Sequence, residues 1–373
     1  MKIAFVINGL GVGGAEKVVA RLADAFAELG HQVVIAYLAG DVLIKPSNTA
    51  IRLINLNINS VWDLGSAYFK LRKLLIEFKP DVVHSHLFHA NILTRLLRIT
   101  TKINRLITTV HYTSADGWLR SMLYRFTDSL CDISTNVSDE AVDCLIKEGA
   151  VKRNRMITVH NGISTQDFHF CPVERTQLRN ELGVADETKL IVAIGRLHPQ
   201  KNYPNLLKAI TMIDNALYQY QVVIAGDGYL RNELVELINR YNLEDRIRLL
   251  GIVHNIQGLL SAADVFVLSS DGEGFPMVIG EAMACERVVV ATDCGGVKEF
   301  LDTIGFLVPT KQPEALANAL QSALRLSNEE SAKSGISARK RIQELYSLEL
   351  AEKKWLDIYS GYNDPIITTH STK

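Results

Sequence analysis

The sequence contains no uncharged apolar run of about 18 residues, so no membrane-spanning helix is expected. It has no low-complexity tract before a polar tail after Asn363. It also shows no self-similarity at a period of roughly 20 to 50 residues, which excludes solenoids and propellers. Cysteine is scarce: Cys131, Cys144, Cys171, Cys285 and Cys294 are odd in number and widely spaced. None forms Cys-x-x-Cys or lies near a histidine pair at zinc-site spacing, so neither a disulfide framework nor a metal site is expected. The thiols read as reduced, in a cytoplasmic protein. The opening Met1-Lys-Ile-Ala-Phe-Val-Ile-Asn8 has one basic residue and an apolar run too short for a secretory core, and reads as a first buried strand.

Net charge is nearly absent, at −1, but its distribution is uneven. Residues 1–165 hold 19 Lys plus Arg against 14 Asp plus Glu, a net +5, while the remainder hold 21 against 27, a net −6. Such asymmetry directs the first half towards something anionic, and no nucleic-acid partner is expected.

What is present is an ordinary globular composition, 47% hydrophobic and 22% charged, over 373 residues. At about 100 to 200 residues per domain, that length implies two domains. Short apolar runs alternate with helical spacing in both halves, the pattern of strand-helix-strand units and parallel sheets. Strands are expected over 3–7, 32–38, 82–85, 106–110, 133–137 and 156–159, then over 190–195, 221–225, 247–250, 265–268 and 288–291. A turn-rich stretch over 160–172 marks the linker. The expected fold class is α/β, with Rossmann-like doubly wound domains over 1–165 and 166–347 and a C-terminal helix within 348–373 packed on the first.

Ligands of open parallel sheets bind outside the carboxyl ends of the strands, so the loops that follow strands are where chemistry is sought. Gly9-Leu-Gly-Val-Gly-Gly-Ala-Glu16 follows the first strand; its glycines let backbone approach a ligand, and the helix it opens favours an anion. Gly9, Gly11 and Gly14 also fit Gly-x-Gly-x-x-Gly, which makes a nicotinamide-dependent oxidoreductase a rival. That rival wants an acid ending the second strand, whereas Asp41 comes only after Gly40. Gly195-Arg-Leu-His-Pro-Gln-Lys-Asn202 follows the first strand of the second domain. Arg196 can fork onto phosphate and Lys201 adds a compact charge, so the loop can hold a diphosphate without a metal, or be a solvated basic turn. Ala225-Gly-Asp-Gly228 reads as a structural turn. In Ser269-Ser-Asp-Gly-Glu-Gly-Phe-Pro-Met-Val-Ile-Gly-Glu281, Pro276 suits the first turn of a helix, whose free N–H groups can meet hydroxyl or phosphate oxygens. Glu273 and Glu281 can each accept hydrogen bonds from vicinal hydroxyls; the alternatives are a solvated loop acid and a helix-dipole partner.

In chain order, Gly-Gly-x-Glu, Gly-Arg-x4-Lys-Asn, Gly-x-Gly, Glu-Gly-Phe-Pro-x4-Glu-Ala and Gly-Gly-x2-Glu resemble the retaining glycosyltransferases of family 4, over most of the chain. The resemblance implies the GT-B fold, two facing Rossmann-like domains with the donor site in the cleft. It gives Arg196 and Lys201 to the diphosphate of a nucleotide sugar, Glu281 to its ribose, and Glu273 with the backbone of Gly274, Phe275, Pro276 and Met277 to the transferred sugar. Gly13 and Gly14 would close over the diphosphate from the opposite domain, and Glu299 stands where the family often has another acid. His111 resembles the family's active-site histidine, although relatives often continue His-Asp where this chain has Tyr112; His84 and His86 are equally conspicuous. Front-face departure and attack would then rest on His111, Arg196, Lys201 and Glu273 through positioning and electrostatics, with no metal and no cofactor beyond a UDP-linked sugar as substrate.

For the acceptor, Arg95, Arg98, Lys102 and Arg105 recur at spacings of three and four, a basic stripe if 91–105 is helical. Trp118-Leu-Arg-Ser-Met-Leu-Tyr-Arg125 interleaves large apolar residues with arginines, as an interfacial helix does. With the resemblance, these features suggest a lipid-linked saccharide acceptor at the inner face of the cytoplasmic membrane, an anionic surface, and a role in O-antigen, lipopolysaccharide or capsule synthesis. A soluble acceptor, an oxidoreductase and a noncatalytic nucleotide-binding module are the alternatives.

Overall fold

The computed structural model describes residues 1–11, 13–114, 117–214 and 217–362. The polar tail after 363, and with it the end of the segment 348–373, lies outside the described residues. The chain divides into two compact units, Met1–Gly162 with the chain from Glu349, and Ile163–Leu348.

Seven strands form the sheet of the first unit: β1 (Lys2–Ile7), β2 (Gln32–Tyr37), β3 (Arg52–Asn55), β4 (Val82–His86), β5 (Arg105–Val110), β6 (Ile133–Asn136) and β7 (Met156–Thr158). Their order is β3-β2-β1-β4-β5-β6-β7 and every pairing is parallel. Helices cover both faces, which is why β1 reads as an unbroken apolar run. Ile3, Phe5 and Ile7 pack with Val19 and Phe26 of helix Gly14–Glu28 and with Trp355, Ile358 and Tyr359 of helix Leu348–Ser360. Ala4 and Val6 point the other way, onto Leu71 and Leu75 of helix Leu64–Phe78 and Ala90 and Leu97 of helix Phe88–Leu97.

The second unit repeats the plan with β8 (Lys189–Ile194), β9 (Tyr220–Ala225), β10 (Ile247–Gly251), β11 (Val265–Leu268), β12 (Val288–Thr292) and β13 (Phe306–Val308). These are parallel in the order β10-β9-β8-β11-β12-β13. In each sheet the strand order reverses once, between β1 and β4 and between β8 and β11. At those switch points neighbouring loops diverge to opposite faces and leave a crevice at the carboxyl ends of the strands. Among the described residues no helix is long and apolar enough to cross a membrane.

The expected basic stripe does not form. The helix ends at Leu97, before the β-branched pair Thr100 and Thr101, and Arg105 belongs to β5, where its Nε donates to Ile358 O at 2.6 Å. Arg98 is paired with Asp132 at 2.9 Å. Arg95 is fully buried, donating to Thr108 Oγ1 (2.7 Å), Ser134 Oγ (2.8 Å), Thr127 Oγ1 and Tyr124 O (3.2 Å each). Of the four, Lys102 alone is exposed. The four residues therefore share no helical face, and the one that lies on the helix, Arg95, points into the protein.

Candidate functional site

In the second unit, the loop after β8 and the loop after β11 flank the switch point and are joined by side chains. The 3-10 turn Pro199–Lys201 leads into helix Tyr203–Ile210, which Asn202 caps from a left-handed backbone (φ 44°) by accepting from Asn205 N. Lys201 Nζ donates to Glu273 Oε1 at 2.5 Å, and Ser270 Oγ donates to the same oxygen at 2.6 Å. Asn202 Nδ2 donates to Asp271 Oδ1 (2.7 Å), Gln200 Nε2 to Gly272 O (2.6 Å), Asp271 N to Gln200 O (2.8 Å) and Ser269 Oγ to Lys201 O (2.9 Å). The side chains of Lys201 and Glu273 are only 18% and 12% exposed, so their charges act on each other and on any ligand with less screening than surface groups do.

Three glycines let backbone pack directly under this pair. A Cβ on Gly226 (φ +139°) would lie 2.0 Å from Gly195 O, one on Gly228 2.5 Å from Leu197 O, and one on Gly295 (φ +57°) 2.0 Å from Glu273 O. Gly-x-Gly and the first glycine of Gly-Gly-x2-Glu are thus spacers that let the Arg196 and Glu273 loops pack backbone against backbone. Tyr203 closes the underside: its hydroxyl donates to Gly195 O at 3.0 Å, and burial, with Glu273 nearby, pushes its phenol up.

Arg196 is exposed and its guanidinium has no hydrogen-bond or ion-pair partner among the described residues. Phe275 stacks on Phe300 at 4.1 Å, so its ring serves the core. Pro276 precedes helix Met277–Ala284 without a side-chain cap, which leaves the first N–H groups of that helix available. Glu281, the fifth residue of the helix, is buried, and Glu299 lies half-buried in helix Val297–Leu301. Arg196, Lys201, Glu273 and Gly274 to Met277 therefore belong to two adjacent loops. Gln200, Asn202, Ser269 and Asp271 hold those loops together, and Ser270 fixes Glu273 within its own loop.

In the first unit, Gly13 is the extended N-cap of helix Gly14–Glu28 and supplies no side-chain cap. The Glu16 carboxylate lies over that amino terminus, 2.2 Å from where a Cβ on Gly13 would stand. The three histidines fall into different roles. His84 is bonded at both nitrogens, to Tyr359 Oη (2.7 Å) and Thr109 Oγ1 (2.6 Å), and is structural. His86 ends β4 beside Ile7 at the switch point and meets His111 Nε2 through its Nδ1 at 3.0 Å. Burial holds His84 and His86 well below the usual imidazole range and His111 down to about 4, so all three are neutral at pH 7.

The family model described as Glycosyl transferases group 1 matches residues 174–341, and that described as Glycosyltransferase Family 4 matches residues 12–167. The chain is 29% identical to a Campylobacter jejuni alpha-1,4-N-acetyl-D-galactosaminyltransferase that acts on a PP-undecaprenol-linked saccharide, across 96% of this chain and 98% of that protein. It is 30% identical to the Escherichia coli UDP-Gal:alpha-D-GlcNAc-diphosphoundecaprenol alpha-1,3-galactosyltransferase, across 71% of each chain. Among solved structures it is similar to Anabaena HepE in complex with UDP, with a TM-score of 0.84 at 21% identity over 97% of this chain and 100% of that one.

Proposed function

This chain belongs to glycosyltransferase family 4 and has the GT-B fold, and from that premise we propose which transfer it performs. The proposed reaction moves a hexose or N-acetylhexosamine, with retention, from a UDP-sugar to a growing polyprenyl-diphosphate-linked oligosaccharide of a bacterial O-antigen or capsule. The observation that carries it is the Lys201–Glu273 pair, held between two stapled loops at the switch point of the second sheet. Lysine has three donors, so Lys201 can keep Glu273 and still reach a phosphate oxygen. In this reading the bond from the anomeric carbon to the diphosphate breaks and its electron pair stays with UDP. The acceptor hydroxyl attacks the same face and its proton passes to the departing phosphate oxygen. Arg196 and Lys201 stabilise the charge that develops there, Glu273 and the backbone of Gly274 to Met277 hold the sugar, and Glu281 holds the ribose. The same reading gives Gly13 and Gly14 to the diphosphate and His111 to the transferred sugar, and it invokes no metal.

The test is a panel of nucleotide sugars with a short-chain polyprenyl diphosphate saccharide or soluble saccharides as acceptors, with and without a chelator. Release of UDP from one UDP-sugar, dependent on the lipid-linked acceptor and indifferent to chelator, is expected. Transfer to soluble saccharides alone overturns the lipid-linked acceptor, loss of activity in chelator overturns the metal-free reading, and no transfer from any donor overturns the reaction.

The surface of the first unit supports a membrane-bound acceptor. Helix Trp118–Thr127 buries Tyr124 and Thr127 but leaves Trp118 75% and Phe126 70% exposed, beside Leu119, Met122 and the exposed Arg125. Helix Phe88–Leu97, packed against it, adds Leu96, and helix Leu64–Phe78, packed in turn on Phe88–Leu97, adds Phe69 and Ile76. Aromatics with arginine on one helix suit the interface of an anionic bilayer. Flotation with anionic vesicles should recover the protein at low salt and less of it at high salt. Trp118→Ala with Phe126→Ala should weaken recovery about tenfold or more. Equal flotation of parent and variant, or none of either, would sink the idea.

A further inference from the structure

We propose that His86 is a positioning residue that fixes the proton of His111 on Nδ1, so that the first unit presents an imidazole N–H donor at the carboxyl end of its sheet. The role in transfer rests on the reading of His111 as a group that meets the transferred sugar; the proton assignment does not.

The geometry leaves two arrangements. His86 Nδ1 and His111 Nε2 are 3.0 Å apart, so one must donate to the other. If His111 donates, neutral His86 carries its proton on Nε2, and that nitrogen is buried with no hydrogen-bond partner among the described residues. A buried N–H with nothing to donate to is the rarest kind of unpaired polar group, because it loses water and gains nothing. If instead His86 Nδ1–H donates to His111 Nε2, only a lone pair is left buried at His86 Nε2. Neutral His111 then carries its proton on Nδ1. That nitrogen has no partner among the described residues, and His111 is partly exposed.

The backbone holds His86 to this task. Leu87, next in the chain, has φ +71° and ψ 164°, a conformation nearly confined to glycine. It is kept there by Leu87 N donating to Thr109 O at 3.1 Å and Asn91 N donating to Leu87 O at 3.0 Å. The His84 ring at 4.0 Å and the Phe5 ring at 5.8 Å confine the His86 imidazole. Strain of this kind survives only where the surroundings over-determine it, and here it fixes the residue that faces His111.

The chemical consequence is that His111 donates to an acceptor oxygen, such as a sugar hydroxyl, and does not serve as a base: Nε2 is engaged and Nδ1 is already protonated.

The experiment uses the full chain labelled with 15N-histidine. In a long-range proton–nitrogen spectrum, the His111 signals, identified by their loss in His111→Asn, should show a protonated Nδ1 and a bare, hydrogen-bonded Nε2. A protonated Nε2 would overturn the assignment. His86→Phe keeps a ring but removes the donor, and should lower kcat about tenfold, the scale of one net hydrogen bond, with little change in donor KM. His86→Asn, whose amide can donate from near the Nδ1 position, should regain most of that loss. A folded His86→Phe with unchanged kcat, or no regain with asparagine, overturns the positioning role. Wild-type transfer rates in His111→Asn, with the Nδ1 proton observed in the parent, would overturn the role of both residues in transfer while leaving the tautomer standing. That outcome separates failure of the site reading from failure of the proton assignment.

Discussion

Lys201→Ala is expected to lower turnover by about two to three orders of magnitude, the scale on which removing one preorganised group at a developing anion slows transfer. Leaving-group charge builds on the diphosphate as the glycosidic bond breaks, and a cation fixed beforehand stabilises it without reorganisation. Lys201 is fixed on both sides, by its contact with Glu273 and by its backbone carbonyl accepting from Ser269 Oγ. The substitution has a second effect that must be separated from the first. It leaves Glu273, 12% exposed, with Ser270 Oγ as its remaining side-chain donor, and a partly buried carboxylate without its cation destabilises the fold. Combining Lys201→Ala with Glu273→Gln removes that stranded charge. The double variant should melt closer to the parent than the single one and still transfer sugar poorly. Steady-state turnover with a UDP-sugar, read beside thermal unfolding, distinguishes the two effects. A well-folded Lys201→Ala with turnover near that of the parent would end the assignment.

The strands were legible because both faces of each sheet are covered, so a buried parallel strand shows as a continuous apolar run. β3 (Arg52–Asn55) and β13 (Phe306–Val308) escaped because they are edge strands, short and only partly buried, with no run to see. Arg196, Lys201 and Glu273 were legible as residue types in loops after strands. What joins them was not: Lys201 and Glu273 are 72 residues apart, and Asn202, Asp271 and Ser270 are ordinary polar residues until the fold brings them together. The glycines at 226, 228 and 295 advertise flexibility in a sequence, whereas the structure uses their missing side chains. The basic stripe failed because the spacing presumes one helix over 91–105, whereas the helix ends at Leu97 and Arg105 lies in β5. Arg95 sits on the inward face, where both its Nη nitrogens find acceptors while its Nε finds none among the described residues.

That buried arginine leads to the largest stability effect expected of a single substitution. Asp128, also buried, lies 3.6 Å from Arg95 Nη2, accepts from Arg155 Nε at 2.9 Å and from Ser134 Oγ at 2.7 Å. Asp128→Ala would strand Arg95 where water cannot reach it and deprive Arg155 of its carboxylate. Removing one member of a buried ionic network typically costs about 3 to 5 kcal/mol, because the partner keeps its desolvation penalty and loses its compensation. All three tryptophans, Trp62, Trp118 and Trp355, lie in the first unit, so fluorescence during urea unfolding reports that unit alone. Trp355, buried against Tyr359, should dominate the change, since Trp62 and Trp118 are already exposed. The expected result is a midpoint shifted to lower urea at nearly constant slope. Arg95→Met with Asp128→Leu replaces the Arg95–Asp128 pair by apolar groups and should lose less than the two single changes together, since neither charge is then left unpaired. A loss below about 1 kcal/mol for Asp128→Ala would mean that Arg95 finds its compensation from the hydroxyls and carbonyl around it.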